Sequence, residues 1–182
     1  MPDVLILYAS RDGHTRQIVQ RMQARLDAQD VQVRVVDVAL AHDVDPSAFK
    51  VVAVGGSVVY GKHDERLAGF LNDNAERLEG RPTAFFSVNL IARKAEKQTI
   101  EGNVYVRKLL DALASKPDHV EIIAGKLDYP SLGFFDRIMI QLTMKFTDGP
   151  TDRNTVIDYT DYAQVDRLAD RLKSMAEAPL HD

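Results

Sequence analysis

Three polar loops contain the side chains best suited to chemistry, and the first has the composition of a phosphate-binding loop. It reads Ser10-Arg11-Asp12-Gly13-His14-Thr15 and joins an apolar run to a segment with helical periodicity. Two hydroxyl groups, a glycine that lets the backbone close up and free N–H groups at a helix N-terminus suit a bound phosphate. In the competing interpretation Ser10 and Asp12 only cap the helix. The loop has neither the Walker pattern nor the dinucleotide-binding glycine pattern.

The other two loops could hold a planar ring. Residues 55–61 combine small residues, which let a ring approach the backbone, with the aromatic face of Tyr60, although Tyr60 could equally pack at a strand end. The positions predicted to contact the ring are Ser57, Val58, Val59, Tyr60 and Gly61. A third loop presents backbone groups and the Asn89 amide to the polar edge of such a ring, through Ser87, Val88, Asn89 and Leu90.

The elements around these loops predict an α/β fold that brings the loops together. Apolar runs indicate strands at 4–9, 31–38, 51–55, 82–88 and 120–126, and helical spacing indicates helices at 15–26, 67–78, 105–113 and 161–175. This alternation predicts a five-stranded parallel sheet with helices on both faces. Ligands of such sheets bind at the carboxyl ends of the strands. Since each loop follows a strand, the three together predict an FMN site.

One segment, 127–155, interrupts the alternation and is too long for an ordinary strand-to-helix connection. We interpret it as an insertion in a single domain spanning 1–182. Within it, apolar side chains recur on one side of a predicted amphipathic helix at about 134–147. That helix is too short to cross a membrane, but it could lie at a membrane surface, cover a hydrophobic ligand or pack onto the protein's own core.

Composition excludes several classes of function. Of the 182 residues, 45% are hydrophobic and 27% charged, as in an ordinary globular protein, and the net charge of −4 argues against nucleic-acid binding. The absence of cysteine excludes disulfides and thiolate chemistry and agrees with a reducing compartment. We predict neither a signal peptide nor a transmembrane helix, and hence a cytoplasmic protein or one on the cytoplasmic face of a membrane. The spacing of the five histidines predicts no metal site.

The same loops, with the stretch Ser87-Val88-Asn89-Leu90-Ile91-Ala92-Arg93-Lys94 and the insertion ending in Phe146-Thr147-Asp148-Gly149, resemble one subgroup of flavodoxin-like proteins. This subgroup is the menaquinone-dependent protoporphyrinogen IX oxidases of bacterial haem synthesis. Asp12, where many flavodoxins have Thr, must turn away from a phosphate to cap the helix or pair with Arg11 or Arg16. The resemblance covers nearly the whole chain. It implies a flavodoxin-like three-layer sandwich and an FMN enzyme that oxidises protoporphyrinogen IX and passes electrons to a membrane quinone, menaquinone or ubiquinone.

A basic segment, 93–108, could bind the two propionates of such a substrate. Five cations against two glutamates give it a local net charge of +3 in an acidic chain. Because arginine grips carboxylates in a bidentate way, Arg93 and Arg107 are the first candidates, followed by Lys94 and Lys97. The alternative is a solvated helix face. The insertion helix would supply the apolar surface and contact the membrane that dissolves the quinone.

Two other functions compete with this one on the same fold. A flavodoxin-type electron carrier would usually be acidic around its flavin, which the basic segment opposes. An NAD(P)H:quinone reductase would need a nicotinamide site, for which there is no sequence signal, and an FMN-binding module with an interaction role is a third alternative. The sequence identifies no catalytic base, because His14 lies at the phosphate end and His63 behind the second loop, and a lone histidine is more often a surface residue. It leaves a homo-oligomer open.

Overall fold

The five predicted strands form one parallel sheet in the computed structural model, which describes residues 2–178. The strand order is β2-β1-β3-β4-β5, and the order reverses between β1 and β3. The strands are β1 (Val4–Ala9), β2 (Val33–Asp37), β3 (Val51–Ser57), β4 (Thr83–Asn89) and β5 (His119–Ala124). Residue 1 and residues 179–182 of the predicted 1–182 domain lie outside the described range. The predicted α/β architecture is confirmed.

Helices cover both faces of the sheet and complete three layers. Alternate residues of β1 point to opposite faces, so Leu5 and Leu7 pack in one apolar core and Val4 and Ile6 in the other. The first core is covered by α2 (Glu65–Asp73), α3 (Ala75–Leu78) and α4 (Val104–Asp111), and the second by α1 (His14–Asp27) and α6 (Tyr162–Glu177). The predicted apolar stripe of the last helix is fully buried in the second core.

Most predicted elements end one or two residues away from their ends in the structure, and two of the differences need comment. The single helix predicted over 67–78 is interrupted at Asn74, whose side-chain amide donates to the Phe70 carbonyl at 2.9 Å and ends α2. The predicted strand 120–126 ends at Ala124. The Gly125 N–H still donates to the Asn89 carbonyl, and after it the chain leaves the sheet. Periodicity reveals neither the Asn74 contact nor the point at which the chain leaves the sheet.

The insertion is a compact unit on the carboxyl edge of the sheet. Two short strands, β6 (Lys126–Asp128) and β7 (Val156–Asp158), pair antiparallel at its base, and α5 (Phe134–Phe146) lies between them. A small core of Leu127, Tyr129 and Met144 fills the insertion and packs against Leu90 of the main domain. The predicted helix therefore exists. Within residues 2–178, no helix combines the length and the apolar character needed to cross a lipid bilayer.

Candidate functional site

The loop 10–15, here the phosphate loop, connects β1 to α1. Its side chains cap the start of α1, and its backbone forms a tight turn that suits a ligand. The Asp12 carboxylate accepts the His14 N–H at 3.3 Å, and the Ser10 hydroxyl accepts the Arg16 N–H at 3.4 Å. Asp12 thus turns towards the helix, the first of the two arrangements expected for it. Gly13 has a φ of 88°, in the left-handed region that favours glycine. Both capping and the tight turn are therefore observed.

Two buried side-chain atoms of this loop lack hydrogen-bond partners among the described residues. They are the Thr15 hydroxyl oxygen and Nδ1 of His14, whose Nε2 lies 2.8 Å from the Thr160 hydroxyl. An unpaired buried polar group costs about 1–3 kcal/mol, so such atoms mark places where a ligand completes the structure. A Cβ on Gly13 would meet nothing within 4 Å. The loop therefore fits a phosphate group by an observation independent of its sequence.

The loop 57–61, here the ring loop, ends in a tight hairpin turn. Val59 and Lys62 exchange backbone hydrogen bonds of 2.8 and 3.2 Å, and Tyr60 and Gly61 have φ values of 50° and 76°. Positive φ at both central positions defines a type I′ turn, which is costly for a bulky residue such as tyrosine. Tyr60 is 58% exposed, so it does not pack at a strand end. The strained turn holds an aromatic ring at the surface of the candidate site.

Gly55 and Gly56 have a packing role that the sequence did not indicate. A Cβ on Gly55 would lie 2.3 Å from the Phe86 carbonyl oxygen, and one on Gly56 would lie 2.9 Å from a Leu67 methyl group. These glycines are needed for close contact between β3, β4 and α2. The small size of Gly55 and Gly56 is thus explained by packing, and residues 57–61 remain the candidates for contact with a planar ring.

The third loop, 87–90, is braced by a buried polar network. The Ser87 hydroxyl contacts His63 Nε2 at 2.8 Å and accepts from the Asn89 amide at 2.9 Å. The Asn89 side-chain oxygen accepts the Ala92 N–H at 3.0 Å and the Asn103 amide at 3.3 Å. The Asn89 amide thus serves the network, not the outer surface of the loop where a flavin edge was expected. Val88 is buried, and its carbonyl accepts the Val58 N–H, which ties this loop to the ring loop.

His63 connects this network to a cleft between the other two loops. The cleft has a volume of about 650 Å³ and lies at the reversal of strand order, where its walls include Ser10, Arg11, Ser57, Tyr60 and His63. Burial lowers the pKa of His63 to about 4, so its imidazole is neutral near pH 7. From the sequence, His63 stood out only because it follows the ring loop. Its neutral state follows from the packing and has no sequence signal.

A cluster of Arg11, Tyr60 and Asp136 joins three separate segments. Arg11 Nη2 lies 3.2 Å from the Tyr60 hydroxyl and 3.1 Å from the Asp136 carboxylate, and the Tyr60 hydroxyl also donates to Asp136. The guanidinium lies over the Tyr60 ring, 4.9 Å from its centroid. The hydrogen bond to Tyr60, with the nearby carboxylate, raises the pKa of Arg11 above its usual range. In the sequence Asp136 only interrupts an apolar stripe, so its role was missed.

The predicted substrate cations have different surroundings. Arg93 Nη2 donates to the Thr147 carbonyl at 2.6 Å and Nη1 to the Leu90 carbonyl at 3.2 Å, which fastens the end of the insertion to the main domain. Lys94 lies 3.4 Å from the exposed Asp148 carboxylate. Lys97 is partly exposed and Arg107 is exposed on α4. Arg93 therefore has a structural role that competes with propionate binding, whereas Arg107 presents its head group to solvent.

Comparison with known proteins identifies relatives along almost the whole chain. Residues 5–154 match the family model described as a flavodoxin domain. The Protoporphyrinogen IX dehydrogenase [quinone] of Escherichia coli strain K12 is 37% identical over 175 residues, which cover 96% of this chain and 97% of the relative. The Leishmania major protein of the same name is 40% identical over 169 residues, 92% of this chain and 73% of the relative.

A solved structure supports the fold independently. The Fusobacterium nucleatum flavodoxin bound to flavin mononucleotide superposes with a TM-score of 0.50 and covers 96% of this chain and 98% of its own. Only 14% of the aligned residues are identical, so this likeness concerns the fold alone.

Proposed function

Because this chain belongs to the flavodoxin domain family, and within it to the quinone-dependent protoporphyrinogen IX dehydrogenases, we propose that it oxidises protoporphyrinogen IX with FMN and passes the electrons to a quinone. The reaction is a step of haem synthesis. One structural observation supports it most strongly: α5, with its exposed apolar side chains, is bonded through Asp136 to both cofactor loops. A wide apolar macrocycle needs such a surface beside the flavin.

FMN fits the residues at the carboxyl edge of the sheet. The phosphate loop would hold the phosphate, with Thr15 and the N-terminus of α1 as donors, and residues of the ring loop and the third loop would hold the isoalloxazine. When bound, FMN supplies the two-electron acceptor chemistry that removal of hydrogen from a porphyrinogen requires. The chain contributes placement: Tyr60 forms an aromatic wall, and the His63–Ser87–Asn89 network fixes the loop beside it. The neutral His63 keeps a positive charge out of this buried network.

For the substrate propionates we propose Arg107 and Lys97, with Lys94 as a third candidate. Arg107 has an exposed guanidinium suited to bidentate carboxylate binding. Arg93 contributes through its hold on Thr147, which orders the insertion that faces the macrocycle.

We further infer that the protein binds peripherally to the cytoplasmic face of the inner membrane through α5. Phe134, Phe135 and Phe146 are each more than two-thirds exposed, and Met139 and Leu142 extend the same apolar surface. An exposed apolar patch on a short amphipathic helix is typical of interfacial binding. A lipid-dissolved quinone would be accessible there.

The activity is tested directly with the FMN-loaded protein, protoporphyrinogen IX and a soluble menaquinone analogue, by following porphyrin fluorescence. We expect a quinone-dependent rise well above the autoxidation rate measured without protein. A rise equal to autoxidation, with or without quinone, would refute the oxidase activity.

Membrane contact is tested by sedimentation with phosphatidylglycerol-containing vesicles. Replacing Phe135 and Met139 by serine should weaken binding by at least about tenfold, because burial of a large apolar side chain is worth about 1.5–3 kcal/mol. Leu40→Ser, which alters an exposed apolar residue outside the insertion, is the matched control and should bind like wild type. Equal sedimentation of all three proteins would contradict the interfacial role of α5.

A further inference from the structure

The two halves of α5 are attached to the protein in different ways. The C-terminal half is held by the buried Met144 and, just beyond the helix, by the bond from Arg93 to the Thr147 carbonyl. The N-terminal half exposes Phe134 and Phe135. Within residues 2–178, the side-chain hydrogen bonds that join this half to the main domain are those of Asp136. The helix is thus fixed at one end and tied by polar contacts at the other.

We propose that Asp136 is a positioning residue that sets the N-terminal half of α5 against the two cofactor loops and so fixes one wall of the porphyrinogen site. This inference rests on the proposed function for its substrate. Asp136 lies in the first turn of α5, where the helix dipole favours a carboxylate. It binds one residue of the phosphate loop and one of the ring loop at the same time. Among the side-chain hydrogen bonds of residues 2–178, those of Asp136 alone link one outside residue to both loops.

The arrangement leaves Arg11 able to serve two anions. All its hydrogen bonds to Tyr60 and Asp136 use Nη2, while a guanidinium has five N–H donors. A phosphate in the phosphate loop can therefore share Arg11 with the carboxylate. Loss of Asp136 should consequently leave FMN binding intact, or strengthen it, while it loosens the helix. Misfolding of the variant would instead weaken FMN binding. Loss of helix positioning and misfolding therefore predict opposite changes in FMN affinity.

The contacts of Asp136 with Arg11 and Tyr60 are strong enough to position the N-terminal half of α5 and weak enough to break reversibly. Arg11 is about half exposed and Asp136 about one-quarter exposed, so the ion pair is partly solvated. Partly solvated ion pairs contribute little to stability, and the charge-assisted hydrogen bond from the Tyr60 hydroxyl to Asp136 contributes more. Together the two contacts correspond to a roughly five- to twentyfold preference for the position in which α5 is bonded to the two loops.

The test compares FMN-loaded wild type with Asp136→Ala, Asp136→Asn and the control Asp43→Ala, which removes a carboxylate that is 90% exposed in the β2–β3 connection. Hydrogen exchange is measured on peptides covering 134–142 and 143–149. For Asp136→Ala we expect about five- to twentyfold faster exchange in 134–142 alone. We also expect a similarly raised KM for protoporphyrinogen IX, little change in kcat and an FMN Kd no weaker than wild type. Asp136→Asn keeps an acceptor for Tyr60 and should be intermediate.

Unchanged exchange in 134–142 would overturn the inference, as would a weaker FMN Kd. Faster exchange with an unchanged KM would also overturn it, because the helix would then not position the substrate. If the wild type fails to oxidise protoporphyrinogen IX, the proposed function fails, and the exchange measurement still decides whether Asp136 holds the helix.

Discussion

Replacing His63 by glutamine should make the protein less sensitive to acid. The imidazole is 6% exposed, contacts Ser87 through Nε2 and packs edge-on against Phe85, 5.3 Å between ring centroids. Burial lowers its pKa from 6.5 to about 4 in the folded protein, while the unfolded chain keeps the ordinary value. The unfolded state therefore binds this proton first as the pH falls, and the native state loses stability between pH 6.5 and about 4.

The size of the effect follows from these two values. At pH 5 the difference costs the native state about 2 kcal/mol, and below pH 4 the full shift corresponds to about 3 kcal/mol. Glutamine cannot bind this proton but can still donate to Ser87. The variant should lose about 1 kcal/mol at pH 7.5 through imperfect packing, and it should lose about 2 kcal/mol less than wild type between pH 7.5 and pH 5.

Urea unfolding at the two pH values measures the difference, at one fixed FMN concentration because ligand binding adds to apparent stability. His42→Gln is the control, since His42 is 74% exposed beside Asp43. Equal losses of unfolding free energy in wild type and His63→Gln between pH 7.5 and pH 5 would refute the reasoning.

Two further substitutions test the cofactor loop and the insertion. Thr15→Val removes a buried hydroxyl that has no hydrogen-bond partner among residues 2–178, so the FMN Kd should rise about ten- to a hundredfold while the apoprotein unfolds at the same or a higher urea concentration. Fluorescence titration with FMN checks this, and an unchanged Kd would exclude Thr15 from the phosphate site. Arg93→Ala releases the Thr147 carbonyl and should speed proteolytic cleavage within 147–153 severalfold. The Tm of the protein should change little, because the main sheet is not altered. Equal cleavage rates would show that Arg93 does not hold the insertion.

The sequence predicted the sheet and the helices because apolar runs and periodicity reflect burial directly. Val4 to Ala9 is buried along its whole length, as a central strand of a parallel sheet must be. The interruption at Asn74 was missed because a polar residue in a helical pattern looks the same whether or not its amide binds a carbonyl.

The candidate site was predicted by its loops but not by its contacts. Residues at the carboxyl ends of β1, β3 and β4 must meet in this topology, so their proximity could be inferred. The partners of Arg93 and Asp136 lie 54 and 125 residues away, and composition gives no information about such pairings. The neutral state of His63 likewise depends on burial by distant segments.

The pairing of β6 with β7 means that the chain leaves the domain and returns to it at nearly the same point, with Lys126 opposite Asp158. Everything between these strands can therefore change in length or composition without altering the strand order of the main sheet. A graft into an ordinary flavodoxin would also have to carry the main-domain residues that hold the insertion, namely Leu90, Arg93, Arg11 and Tyr60, to keep its apolar helix at the cofactor loops.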